Sequence, residues 1–318
     1  MKILVTGGAG FIGSNFILYM MNRYRDLEVV CVDALTYAAD MNNLSAVSDD
    51  RRFSFCKSDI AEKMRIFKVF DRERPDIVVN FAAESHVDRS IENPDVFLKT
   101  NIIGTANLMD ACLTFGTRRF HQISTDEVYG DLPLDSGSPF KETDSLNPSS
   151  PYSASKASAD MLVKSYVRTF GLRATITRCS NNYGIYQYRE KLIPSVVEKA
   201  MRGDEIPLYG DGKNVRDWIS VSDHCKAVDA VINHGREGEI YNVGAGNEIS
   251  NNVLVRKILS IMGKSDSLIE YVADRAGHDR RYALNSDKIK NELGWIPETD
   301  FETEIYKTVR YYMNKQPQ

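Results

Sequence analysis

Long hydrophobic runs are missing from this 318-residue chain, and no stretch approaches the ~18 consecutive apolar residues that a membrane span needs. An excess of one charge sign is missing too. A formal net charge of −4 gives no electrostatic case for nucleic acid or an anionic membrane surface as partner. Cysteine is sparse: residues 31, 56, 112, 179 and 225 are odd in number and form no Cys-x-x-Cys pair. That usage points to reduced thiols in a cytoplasmic protein, most of them small core residues, and suggests no metal site. Internal repeats and low-complexity segments are absent, and no linker divides the chain. The opening MKILVTGGAGFIG carries one Lys and an apolar run, but glycines interrupt it and it reads as a first strand and turn rather than a signal peptide.

What is present is alternation. Apolar strand-like runs at 2–6, 28–33, 53–57, 76–82, 119–124 and 173–178 are separated by helical periodicity over 11–24, 62–73, 95–115 and 152–170. Near-continuous Val, Ile and Leu in the strands fits burial on both faces, which predicts an α/β fold with a doubly wound, parallel Rossmann-type sheet. Beyond Asn181 the pattern becomes irregular, with helix-like stretches at KLIPSVVEKAMRG, VSDHCKAVDAVINHG and NSDKIKNELGW and a strand and turn at YNVGAG. We expect residues 1–180, with about 214–245, to form an NAD-binding domain. Residues 181–213 and 246–318 would then form a smaller, partly discontinuous C-terminal lobe for substrate.

TGGAGFIG follows the first strand and opens a helix, the context a dinucleotide fingerprint requires. Gly8, Gly10 and Gly13 satisfy one glycine spacing; Gly7, Gly10 and Gly13 satisfy another. Glycines there permit a tight turn and close approach of a pyrophosphate to backbone N–H groups. Asp33 ends the second strand, where a carboxylate accepts from a ribose diol and repels a 2′-phosphate, favouring NAD over NADP. Asp59 and Ile60 after the third strand, and Phe81, Ala82, Ala83 and Ser85 after the fourth, stand where adenine and the rest of the cofactor would pass; each position also suits an ordinary loop.

Two further stretches carry chemistry. PYSASK places Tyr152 and Lys156 four residues apart on one helix face, where an ammonium would stabilise a phenolate able to accept an alcohol proton. STDEVYG ends a strand on adjacent carboxylates, Asp126 and Glu127, which are costly to bury unless solvated, hydrogen-bonded or used. Successive strand residues face opposite ways, so both reach one ligand only if the chain leaves strand geometry by Thr125 or Asp126.

Together with DALTYA, AAESHVDRSI, CSNNYG, EKLIP, VRDW and DRAGHDRRYA, these motifs span nearly the whole chain. The sequence resembles the extended short-chain dehydrogenase/reductase family and, within it, the dTDP-glucose 4,6-dehydratases. The resemblance implies that Tyr152, with Thr125 beside it, takes the C4 hydroxyl proton while C4 is oxidised by NAD; Glu127 then removes the C5 proton and Asp126 protonates the leaving C6 oxygen. It also brings Phe11, Ile12, Leu35, Thr36, Thr100, Ser124 and Asn182 to the cofactor. Substrate contacts implied are Ser85, His86, Asn181, Lys191, Leu192, Pro207, Tyr209, Arg216, Asn251, Arg275 and His278, with the two arginines on the diphosphate; Leu192 and Pro207 equally suit packing. A homodimer is the implied assembly. Ile185 and Arg189 stand where the family commonly has prolines, and Ala-Ala-Asp at 38–40 replaces a usual Ala-Gly-Asn, which leaves UDP-glucose open as substrate. A nucleotide-sugar 4-epimerase is the rival outcome on the same redox scaffold, and a GDP-mannose 4,6-dehydratase a closer one; a non-catalytic dinucleotide sensor would not need Tyr152 and Lys156.

Overall fold

The computed structural model describes residues 1–135 and 137–315. Its strands are β1 Lys2–Thr6, β2 Glu28–Asp33, β3 Phe53–Lys57, β4 Ile77–Asn80, β5 Arg119–Thr125, β6 Ala174–Cys179, β7 Asn181–Tyr183, β8 Ile206–Tyr209, β9 Val215–Ser220, β10 Ile240–Val243, β11 Glu248–Ser250 and β12 Ile269–Val272. Seven of them form one sheet in the order β10-β6-β5-β4-β1-β2-β3, with every pairing parallel. From β1 the chain winds outward to β2 and β3, then returns to β4 and continues the other way. The C-terminal ends of β1 and β4 therefore flank the crevice where such sheets bind nucleotides. Residues such as Leu4, Val30 and Val78 face one layer of helices; Ile3, Val5 and Val79 face the other. Each such side chain, fully withdrawn from water, contributes on the order of 1.5–3 kcal/mol.

Two small sheets lie outside this one: β11-β9-β7 and the parallel pair β12-β8. They share an apolar core with the helices Leu192–Arg202, Asn251–Met262 and Phe301–Asn314. The last two helices and all five of these short strands (β7, β8, β9, β11 and β12) escaped the sequence reading. Strands of three to six residues show too few alternations to declare a period. The strand β10 and the helix Val221–His234, by contrast, pack with the large sheet.

The helix expected over 95–115 is divided. Helix Pro94–Phe97 runs into a widened, π-wound stretch Leu98–Gly104 and then helix Thr105–Phe115. Wide turns of this kind re-aim side chains, and here Asn101 turns inward. Its Oδ1 accepts from the Glu84 N–H (2.9 Å), while its Nδ2 donates to the Glu84 carbonyl (3.0 Å) and to Ser155 Oγ (2.8 Å). The cofactor-side loop after β4 is thereby tied to the long helix Pro151–Phe170. Among the described residues, no helix is long and apolar enough to cross a membrane.

That long helix is pinned to β6 by a fully buried ion pair, Arg178 Nε to Asp160 at 2.9 Å, with the guanidinium 4.7 Å above the Tyr129 ring. Asp160→Ala leaves the arginine charged and unpaired in the core, and is expected to cost roughly 3–5 kcal/mol in denaturant unfolding. A loss below about 1 kcal/mol would show that the pair does not anchor the helix.

Candidate active site

A cleft of about 320 Å³ opens over the C-terminal ends of the sheet. Gly7, Gly10, Gly13, Asp33, Asp59 and Phe81 line one end, and Ser124, Thr125, Asp126, Glu127, Tyr152 and Lys156 the other. Gly7, Gly10 and Gly13 line the cleft and Gly8 does not. Gly7 has φ +64°, and a Cβ there would meet Ala82 N at 2.6 Å; on Gly13 it would meet the Gly7 carbonyl at 2.3 Å. Gly8 is instead a packing residue, because a Cβ on it would strike Cys31 Sγ at 2.6 Å. The helix Phe11–Arg23 starts with no side-chain cap, so its first-turn N–H groups face an anion site uncontested.

Asp33 accepts from Ala9 N (3.0 Å, Oδ2) and Leu35 N (2.8 Å, Oδ1), and each oxygen keeps a lone pair for a ribose hydroxyl. Burial pushes this carboxyl up while those two N–H groups pull it down. Ser58 and Ser124 present buried hydroxyls without protein partners on the same walls. A turn shaped by glycine, free helix N–H groups, a diol acceptor and unpaired hydroxyls fit NAD.

Of the expected cofactor residues, Phe11, Ile12, Thr36, Ile60, Ala82, Ala83, Ser85, Thr100 and Asn182 also line the cleft. Leu35 does not; its contribution is the N–H that orients Asp33. The walls missed by the sequence reading include Glu84, Cys179, Gln187, Tyr188 and Glu190. Glu190 precedes Lys191 in the EKLIP motif, a signal that was available; Cys179, held by Asn182 Nδ2 at 3.4 Å, looked like any core thiol.

At the catalytic end the chain turns at once. Strand β5 stops at Thr125, and residues Asp126–Tyr129 form a 3₁₀ turn. Thr125 Oγ1 accepts the Glu127 N–H (3.2 Å) and donates to Asp126 Oδ1 (3.1 Å). Both carboxylates consequently line one cleft. Asp126 is 2% exposed, and its Oδ2 has no protein partner. Burial raises its pKa well above the usual range, with the Glu127 and Asp217 charges adding to the effect. Glu127 is raised by burial as well, but Arg216, Arg275 and Lys191 pull it back. On β9, Asp217 pushes Asp126 up, while its neighbour Arg216 pulls both carboxyls down. Asp217 stays in place because its carboxylate accepts from the Ala245 and Asn247 N–H groups at 3.0 and 2.8 Å.

The Tyr152–Lys156 pair differs from expectation. Both residues line the cleft, yet Lys156 Nζ donates to the Ile123 carbonyl at 2.6 Å, and its own pKa is lowered by burial. The Tyr152 phenol is pushed up by burial, Glu127, Cys179 and Asp126, while the Thr125 hydroxyl opposes them. Spacing put the two side chains on one face; a buried carbonyl within β5 captured the ammonium.

The substrate residues divide. Lys191 Nζ donates to the Ser85 carbonyl (2.9 Å), and Asn181 lines the cleft. Arg275 pairs with Asp88 at 3.3 Å while its Nε is buried without a partner, as an arginine awaiting an anion would be. Arg216 lies 4.3 Å above the Tyr282 ring with Nη2 on the Asp279 carbonyl (2.9 Å). Tyr209 and Pro207 share the exposed face of β8, with His278 edge-on to Tyr209 at 6.0 Å. His86 begins the helix Val87–Glu92, and Asn251 begins Asn251–Met262. Leu192 packs on the apolar core of the smaller sheets.

A family model described as GDP-mannose 4,6 dehydratase matches residues 4–308. The chain belongs to that family. A dTDP-glucose 4,6-dehydratase of Shigella flexneri is 47% identical over 336 residues, covering 98% of this chain and 93% of that protein. The crystal structure of DesIV, a dTDP-glucose 4,6-dehydratase from Streptomyces venezuelae with NAD bound, has a TM-score of 0.95 and 45% identity and covers 98% of this chain and 97% of that one. A UDP-glucose 4-epimerase from Thermotoga maritima still reaches 0.90 at 32% identity, over 98% of both chains. The scaffold therefore does not decide the outcome, and the cleft residues must.

Removing a cation that pulls Glu127 down raises its pKa, so the pH below which Glu127 is protonated moves up. At saturating substrate, Arg216→Met should shift the acidic limb of the single-turnover elimination rate to higher pH. A limb that stays put would separate Arg216 from the base.

Proposed function

We propose that this chain is an NAD-dependent lyase that dehydrates dTDP-glucose to dTDP-4-keto-6-deoxyglucose. The observation that carries the reading is the early turn at Thr125. It sets two buried carboxyls beside Tyr152, one pushed well up by burial and by the other's charge, the other pulled back by three cations, in a chain nearly half identical to dTDP-glucose 4,6-dehydratases. An epimerase needs no such pair.

Gly7, Gly10, Gly13, Asp33 and the walls between them hold the cofactor. NAD, when bound, supplies the two-electron acceptor for C4, a positive ring in the cleft that Tyr152 lines, and the electrons returned at C6. Tyr152, ionised beside that positive ring, would accept the C4 hydroxyl proton on its phenolate oxygen, with Thr125 aligning that oxygen and Lys156 holding β5 at the Ile123 carbonyl. A ketone at C4 acidifies C5, and Glu127 removes that proton. Asp126 donates its proton to the C6 oxygen, which departs as water. Glu127 then protonates C5, and the 4-keto-6-deoxy sugar is complete. Arg216 and Arg275 take the diphosphate. Residues 1–180, with the helix Val221–His234 and β10, serve the cofactor, and 181–213 with 246–318 serve the nucleotide sugar; β9, expected with the cofactor part as a piece of 214–245, pairs with β7 and β11 instead and carries Arg216 to the sugar side.

A homodimer and a cytoplasmic location belong to the same proposal. Val96, Leu98, Ile103, Met161 and Phe170 leave apolar surface on the helices at 94–115 and 151–170, and all five cysteines are free thiols.

Incubation with dTDP-glucose and, separately, UDP-glucose, followed by mass spectrometry, tests the reaction. Loss of one water from dTDP-glucose without net NADH is expected; an unchanged mass with a galactose-type product would contradict it. Glu127→Gln should form NADH transiently and stall there, whereas Tyr152→Phe should form none.

A further inference from the structure

The catalytic account leaves one cluster unused, at the rim of the cofactor end. Thr36, Ala38 and Ala39, from the loop after β2, form one lip of the cleft. Gln187, Tyr188 and Glu190, from the segment between β7 and the helix Leu192–Arg202, form the facing lip. Tyr37 and Tyr188 meet edge to face across the gap, ring centroids 5.5 Å apart. Arg89, from the short helix Val87–Glu92, lies 3.8 Å above the Tyr37 ring and reaches Glu190 at 3.1 Å. His86 Nε2 stands 4.0 Å from the same carboxylate.

Both lips are held in unusual backbone. Leu35 and Tyr186, neither of them glycine, have φ of +55° and +72°, conformations that persist only where surrounding contacts enforce them. Those contacts exist. Leu35 N–H is fixed by Asp33, Asn15 donates to the Ile185 carbonyl (3.1 Å), and the Tyr312 hydroxyl donates to Gly184 and Gln187 carbonyls (2.9 and 3.1 Å). The second lip is thus anchored to the glycine-turn helix on one side and to the C-terminal helix on the other.

We infer that Tyr37, Arg89, Tyr188 and Glu190 form a clasp that closes over the dinucleotide cleft and retains NAD through turnover. The inference rests on the NAD-dependent reading above. Its chemistry suits the task. A reaction that returns its electrons to the substrate gains nothing from exchanging cofactor, and loses the reduced form if the cleft opens midway. A cation stacked on one lip and ion-paired to the other joins them through contacts that are individually modest and cooperative only when both lips are present. Arg89 acts here as a positioning residue, since it does not line the cleft itself.

The test is exchange of protein-bound NAD for isotopically labelled NAD, with no sugar present. Arg89→Ala and Tyr37→Leu should each speed exchange about tenfold, equivalent to ~1.4 kcal/mol. The double variant should exchange little faster than either single one, because both remove the same contact. Fully additive effects, or exchange unchanged in both singles while the wild type holds NAD, would overturn the clasp alone. A wild type that binds no NAD would overturn the cofactor reading and the clasp with it.

Discussion

The site depends on one hydroxyl. Thr125 closes strand β5 by accepting the Glu127 N–H, and in the same position donates to Asp126. Had the strand continued, alternation would have sent one carboxylate away from the cleft. A 3₁₀ turn costs little here, since its first residue is capped by the side chain that also touches the phenol of Tyr152. A single local interaction therefore brings Asp126, Glu127 and Tyr152 to the wall of one cleft.

Bringing two acids together creates the next requirement, which is to keep them different. Burial raises both. What separates them is the balance of neighbours: Arg216, Arg275 and Lys191 outnumber the Asp279 carboxylate around Glu127, whereas Arg216 is set against Glu127 and Asp217 around Asp126. Asp217 is itself cradled by backbone N–H groups from the turn after β10. Strand β9 acts on both carboxyls through consecutive residues: Asp217 pushes Asp126 up, while Arg216 pulls Asp126 and Glu127 down.

Much of this was legible in the residues. The large sheet, its switch point, Asp33 and the glycine turn follow from strong local patterns, because buried parallel strands and helix starts write their signals over consecutive positions. The choice between two glycine frames was not, since Gly8 is needed for its distance from Cys31, which comes from the next strand. Lys156 illustrates the same limit. Its spacing from Tyr152 was right, but the ammonium's partner is a carbonyl 33 residues earlier in the chain. Asn101 looked like a polar residue within a regular helix, and only the widened turn shows it joining Glu84 to Ser155. The clasp was invisible for that reason too, as its four residues come from three separate segments.

Solvent deuterium tests the central claim most directly. If Glu127 removes and returns the C5 proton while Asp126 expels the C6 oxygen, the product formed from dTDP-glucose in D₂O carries one deuterium at C5. Replacing Glu127 by Gln abolishes that label. A dehydrated product free of deuterium at C5, or a label that survives Glu127→Gln, would contradict the account.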